Sequence, residues 1–271
     1  MDALTAKLKE ISDVLGTENA SEAYAVLAND MVPFLQQDMV PIEQHVAVWD
    51  SSIRVFLSAD LPLTSMFPVY DLLRLAVTRG AACEQTVEYA LERANSVLPT
   101  GDARTSRSLW LTALRLAGNG LARHLPVNVT VAALLCEGIL SADASVRTAA
   151  ATGIYNASLK LQHVRQDRIE LVAKGVPRVD ARTSDVEVQF VCACIETLSR
   201  ENNYDIAFRI AAALLQFIYR APSWAEQLRP LFDVLDAEYV LQEAGKRNEA
   251  ISSESHALTR VLADARLLSA T

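Results

Sequence analysis

LWLTALRLAGNGLA, residues 109–122, decides the fold. Its apolar residues fall at helical spacing, and one arginine, Arg115, sits among them with Asn119 one turn later. The same oddity recurs twice. Arg74 lies in FPVYDLLRLAV (67–77), and Arg209 lies in DIAFRIAAALLQFIY (205–219). Arginine does not lose its charge, so it is rarely buried alone. Each of the three needs a partner, either inside the protein or brought by a ligand.

Working outward, the spacing stays helical almost throughout. Leu4, Leu8, Ile11 and Leu15 follow the i, i+4, i+7 rule, and no alternating strand pattern extends beyond a few residues. Breakers such as Gly16, Pro33, Pro41, Pro62, Gly80, Pro99 and Pro126 recur between apolar runs. They predict helices near 3–15, 21–29, 42–58, 66–79, 81–97, 103–124, 127–140, 144–161, 165–175, 184–200, 203–220, 223–233, 235–244 and 253–269. This is an all-α fold. Repetition separates a solenoid from a bundle. Asn156 in ATGIYNASL (151–159) follows Asn119 by 37 residues, close to the ~40–47-residue period of armadillo and HEAT repeats. An asparagine ladder suits an armadillo groove, because the amide offers a peptide backbone both a donor and an acceptor. The short connections predict a single domain, 1–271, with residues 1–40 as an N-terminal capping element.

Half the residues are apolar (51%), enough for a sizeable core. The apolar runs are all broken too early to span a membrane, and MDALTAKLKEISDVL has no signal-peptide core. Cys83, Cys136, Cys192 and Cys194 form no CxxC pair. These features read as a reduced intracellular protein with core cysteines. Net charge is −8, unevenly spread: −7 over residues 1–50, +4 over 51–182 and −5 over 183–271. A middle so mildly basic does not suit nucleic acid; it fits a local site for an acidic peptide or a few phosphates.

No catalytic or metal pattern accompanies this. His45, His124, His163 and His256 are scattered, and GxSxG, Walker A and GxGxxG are missing. Gly118-Asn119-Gly120 is a lone GxG in a helical pattern. The expectation is a chain that is not an enzyme and takes neither cofactor nor metal. Trp110 and Trp224 read as packing residues, and Trp49, four after His45, as packing on a helix face. Among the arginines, Arg74 has Asp71 at i−3, so the two can pair on one helix, and Arg209 has Asp205 at i−4. Arg115 has no acid at i±3 or i±4, which leaves a tertiary partner or a ligand. Asn119 and Asn156 either bond a neighbouring backbone or face a ligand.

Four segments carry a resemblance. FPVYDLLRL (67–75) resembles a Phe-Pro-x-x-Asp-x-x-Arg-Leu signature, and LRLAGNGLA (114–122) a Leu-Arg-x-x-x-Asn-x-Phe segment. AAATGIYNASLKLQ (149–162) resembles an Ala-Thr-x-x-x-Asn-x-Ser helix, and DIAFRIAAALLQF (205–217) a Glu-Ala-x-x-Arg segment. In this order they resemble the PUL family, the C-terminal module of phospholipase-A2-activating protein and its fungal relatives, over roughly residues 50–270. The family's aromatic is Leu121 here, its glycine is Leu215 and its acid is Asp205. The resemblance implies an armadillo-like right-handed α-solenoid. It also implies a non-catalytic adaptor in ubiquitin-dependent protein turnover. The implied partner is the acidic, tyrosine-containing C-terminal tail of the AAA+ segregase valosin-containing protein, held in a basic groove. By motif, Arg74 and Arg209 are the groove arginines, with Asp71, Arg115, Asn119 and Asn156 on or beside the same surface. The competing expectation is an armadillo-type scaffold for a different protein partner, as a module of a larger thioredoxin-like or isopeptidase protein.

Overall fold

The computed structural model describes residues 1–37, 41–98, 103–173, 183–219, 221, 224–249 and 256–270. Among them every regular element is helical, as the apolar periodicity predicts. The chain packs as two compact units, Met1–Leu125 and Pro126–Thr271. The division falls at a proline, whose ring cannot continue a helix.

In the first unit, α1 (Asp2–Leu15) stops at Gly16, whose φ of 59° is left-handed and whose N–H bonds the Ser12 carbonyl. Thr17 then caps α2 (Glu18–Val26) by accepting from the Ala20 N–H at 3.2 Å. The helix widens into a π turn, Leu27–Met31, before α3 (Val32–Leu35). Pro33 was expected to break the chain here. It sits in the first turn of α3 instead, directly after the π turn that the Val32 N–H closes onto the Leu27 carbonyl. Next come α4 (Glu43–Ser58), α5 (Leu63–Thr78), α6 (Glu84–Val97) and α7 (Ala103–Arg123). Trp49 is fully buried, with its ring 4.9 Å from Phe34 and 5.5 Å from His45, and its Nε1 donates to Asp30 at 2.8 Å. The buried Tyr70 hydroxyl donates to the Ala90 carbonyl at 2.6 Å and ties α5 to α6.

The second unit holds α8 (Val129–Ile139), α9 (Ala144–Ala173), α10 (Thr183–Arg200) and α11 (Tyr204–Ile218). A π turn, Trp224–Leu228, leads into α12 (Arg229–Val234), followed by α13 (Ala237–Glu249) and α14 (His256–Ala270). Helices 144–161 and 165–175 were predicted as separate; they are one helix, α9. Asn128, Asp143 and Asn203 cap α8, α9 and α11 with side-chain oxygens. Phe190 and Phe217 stack at 5.4 Å in the core, and Trp224 meets Phe232 edge-on at 5.2 Å. Gly153 lets α9 approach α8, since a Cβ there would lie 2.4 Å from Leu135 Cδ2.

Helices in each unit pack mainly on near neighbours in sequence: α5 on α7, α8 on α9, α9 on α11 and α10 on α13. That is the packing an α-solenoid requires. The cysteines are free. Burial, and then the neighbouring Cys192 thiol, pushes Cys136 up to about 12. Burial also raises Cys194, with Cys136 and Cys192 adding to it, and burial raises Cys192. These thiols of α8 and α10 are therefore protonated, and they are poor nucleophiles.

Candidate functional site

The sequence-selected residues fall into two clusters, one in each unit. In the first, α5 and α7 run side by side in register. Arg123 of α7 donates from Nη2 to the Thr78 carbonyl at 2.6 Å, satisfying an orphan acceptor at the end of α5. One turn earlier Asn119 Nδ2 reaches toward the Arg74 carbonyl at 3.5 Å, a weak bond. Both contacts span 45 residues, a helix-pair repeat of armadillo or HEAT length. Gly118 and Gly120 lie inside α7, so the GxG forms no phosphate loop.

Arg74 is half-buried, and its Nε and Nη2 each approach Asp71 Oδ1 at 2.8 Å. Arg115 is exposed, and among the described residues it makes no hydrogen bond or ion pair. This corrects the premise that its apolar run encloses it. Arg115 lies on the solvent side of α7, opposite the buried Ala113, Leu114, Leu116 and Ala117, and water meets its need for partners.

In the second cluster Arg209 of α11 lies against α9. Its Nε is 3.2 Å from both Asp205 oxygens, its Nη2 is 3.1 Å from Oδ1, and its Nη1 donates to Thr152 Oγ1 at 2.7 Å. Thr152 passes its own proton to the Thr148 carbonyl at 2.9 Å. Asn156, half-buried, follows Thr152 by one turn on the same face of α9.

Two arginines that the sequence reading did not single out, the half-buried Arg147 and the buried Arg165, hold α11 in place. Arg147, near the start of α9, donates from Nε to Glu201 at 2.7 Å and from Nη1 to the Ser141 and Ala142 carbonyls. Glu201 also accepts the N–H groups of Asn202 and Asn203, in the turn before α11. Burial alone would raise the Glu201 carboxyl; the Arg147 and backbone bonds outweigh it and hold the carboxyl below its usual range. Arg165, further along α9, pairs with Glu187 of α10 at 2.8 Å, with side chains only 7% and 4% exposed. Its other N–H groups grip the Gln216, Phe217 and Tyr219 carbonyls at the end of α11. Both ends of α11 are thus clamped to α9, and Arg209 is presented between them. Sequence separation could have hinted at this, since Arg147 and Arg165 bracket Thr152 and Asn156 on one helix.

No group of His, Cys, Asp or Glu among the described residues is arranged to hold a metal, and no described helix is long and apolar enough to cross a membrane. The arrangement offers hydrogen bonds and positive charge, the chemistry of holding an anion or a peptide backbone. An all-helical protein-interaction module with part-exposed arginines on neighbouring helices is the class that these features define. The PUL domain family matches residues 1–263 of the 271, and the chain belongs to that family. The match reaches back to the first residue, so the N-terminal helices, where the quoted motifs are thin, are included. Neither the curated proteins nor the solved structures give a match.

Proposed function

We propose that the chain is a non-catalytic adaptor that binds the acidic, tyrosine-containing C-terminal tail of a valosin-containing-protein-type AAA+ segregase, in ubiquitin-dependent turnover. An armadillo-like, right-handed course and a cytoplasmic and nuclear setting belong to the same proposal. The observation that carries it is Arg115, an exposed guanidinium without a partner among the described residues, one turn from Asn119 on a helix without acids. Guanidinium forks hold carboxylates in bidentate pairs, and each charge-assisted bond contributes roughly 1.5–3 kcal/mol. Two or three such contacts support a Kd on the order of micromolar after ordering costs. Within the first unit Arg74 supplies a further fork beside Asn119; in the second unit Arg209, with Asn156 one turn along α9 from its Thr152 partner, is a separate patch of the same chemistry. Asp71 orients Arg74.

Fluorescence polarisation with a labelled acidic, tyrosine-containing peptide tests this reading. Arg115→Glu and Arg74→Glu should each raise Kd by about tenfold or more, and binding should weaken with added salt. Unchanged affinity in Arg74→Glu, Arg115→Glu and Arg209→Glu alike would remove the site assignment. Capture of a different partner with no tail binding would favour the scaffold reading.

A further inference from the structure

A guanidinium can receive a carboxylate as a fork along its Nε–Nη2 side or across its Nη1–Nη2 end. In Arg209 the Nε–Nη2 side is filled and Nη1 already carries a bond. Asp205 covers the Nε–Nη2 side with both oxygens, and Thr152 takes Nη1. Thr152 is itself locked, because its hydroxyl proton goes to the Thr148 carbonyl. An incoming carboxylate can therefore take the Nε–Nη2 fork of Arg209 only by displacing an internal partner. Asp205 is the one that can yield. It is 55% exposed and its arginine 35%, so water and salt weaken the pair. It also sits in the first turn of α11, where the helix N-terminus still favours its charge after the arginine has gone.

We propose that Asp205 is an internal stand-in for the ligand's carboxylate, holding Arg209 in the free protein and releasing it on binding, so that the site favours segments with adjacent acids over segments with one. This rests on the acidic-peptide reading above. A tethered carboxylate competes at high effective concentration, which a lone ligand acid does not match. Adjacent acids offer several carboxylates to the same fork and win the exchange more often. Arg115 has no such competitor among the described residues, and Asp71 presents only one oxygen to Arg74.

Two labelled eight-residue peptides, one with three adjacent aspartates and one with a single aspartate among serines, separate the outcomes. Asp205→Asn should bind the single-acid peptide about twofold to fivefold tighter and the three-acid peptide by a smaller factor, narrowing the preference. In an Arg209→Ala background Asp205→Asn should change neither. If Asp205→Asn weakens both peptides or leaves both unchanged while the wild type still binds, Asp205 only orients Arg209 and the stand-in role is overturned. If neither protein binds either peptide, the acidic-peptide reading falls, and the stand-in role with it.

Discussion

Arg165 and Arg115 carry the same charge to opposite ends. Arg165 is buried, faces Glu187 and caps three carbonyls of α11; Arg115 stands in water. Removing Arg165 leaves a buried carboxylate and orphaned acceptors. Arg165→Ala should therefore cost about 3–5 kcal/mol of unfolding free energy, read by urea denaturation. Arg165→Met with Glu187→Leu should recover much of that loss, because two apolar residues leave no charge unpaired. Arg115→Ala should lie within about 0.5 kcal/mol of wild type. The two arginines are thus separated by stability on one side and peptide affinity on the other. Sequence alone pointed at Arg115 because its neighbours are apolar, and passed over Arg165 because KLQHVRQD looks like an ordinary solvated stretch. Composition around a charge does not say which side of the helix the charge is on.

At the scale of elements, α9 shows where sequence legibility stops. Its first half and α11 were readable from apolar spacing, and the paired acids of Arg74 and Arg209 from i−3 and i−4 arithmetic. The join between 161 and 165 was not, because Gln162 and Arg165 are buried polar residues that interrupt the apolar period without interrupting the helix. The spacing differs from pair to pair: Asn119 and Asn156 are 37 apart, the α5–α7 contacts span 45, and the α9–α11 contact of Thr152 with Arg209 spans 57. Close helix approach could not be seen at all. Gly153→Ala illustrates it. Alanine is the better helix former, yet its Cβ would drive into Leu135. The variant should lose about 1–3 kcal/mol, and Leu135→Ala in the same chain should be less harmful than in wild type, as a double-mutant cycle would show.

For the whole molecule, acid is the informative stress. The folded Glu201 carboxyl lies below its ordinary value of 4.5. Its contribution to stability is therefore complete above that value and is lost as pH falls toward the folded one. Stability should drop below about pH 4.5, and Glu201→Gln should flatten that part of the curve while lowering the plateau at neutral pH. Thermal melts at stepped pH read both effects. The acidic ends and basic middle of the chain, −7, +4 and −5, place a modest positive field within a negative protein. Such a field steers a short anionic segment to a local patch and gives little grip on a polyanion.

The raised thiols of Cys136, Cys192 and Cys194 have a practical consequence. Maleimides and iodoacetamides react with the thiolate, so at neutral pH these three sulfurs react slowly. With Cys83→Ser to remove the remaining thiol, a cysteine put at the exposed Val14 or Val234 would be the fast-reacting one. A single dye or spin label would then report on either unit without touching the arginines that it is meant to observe.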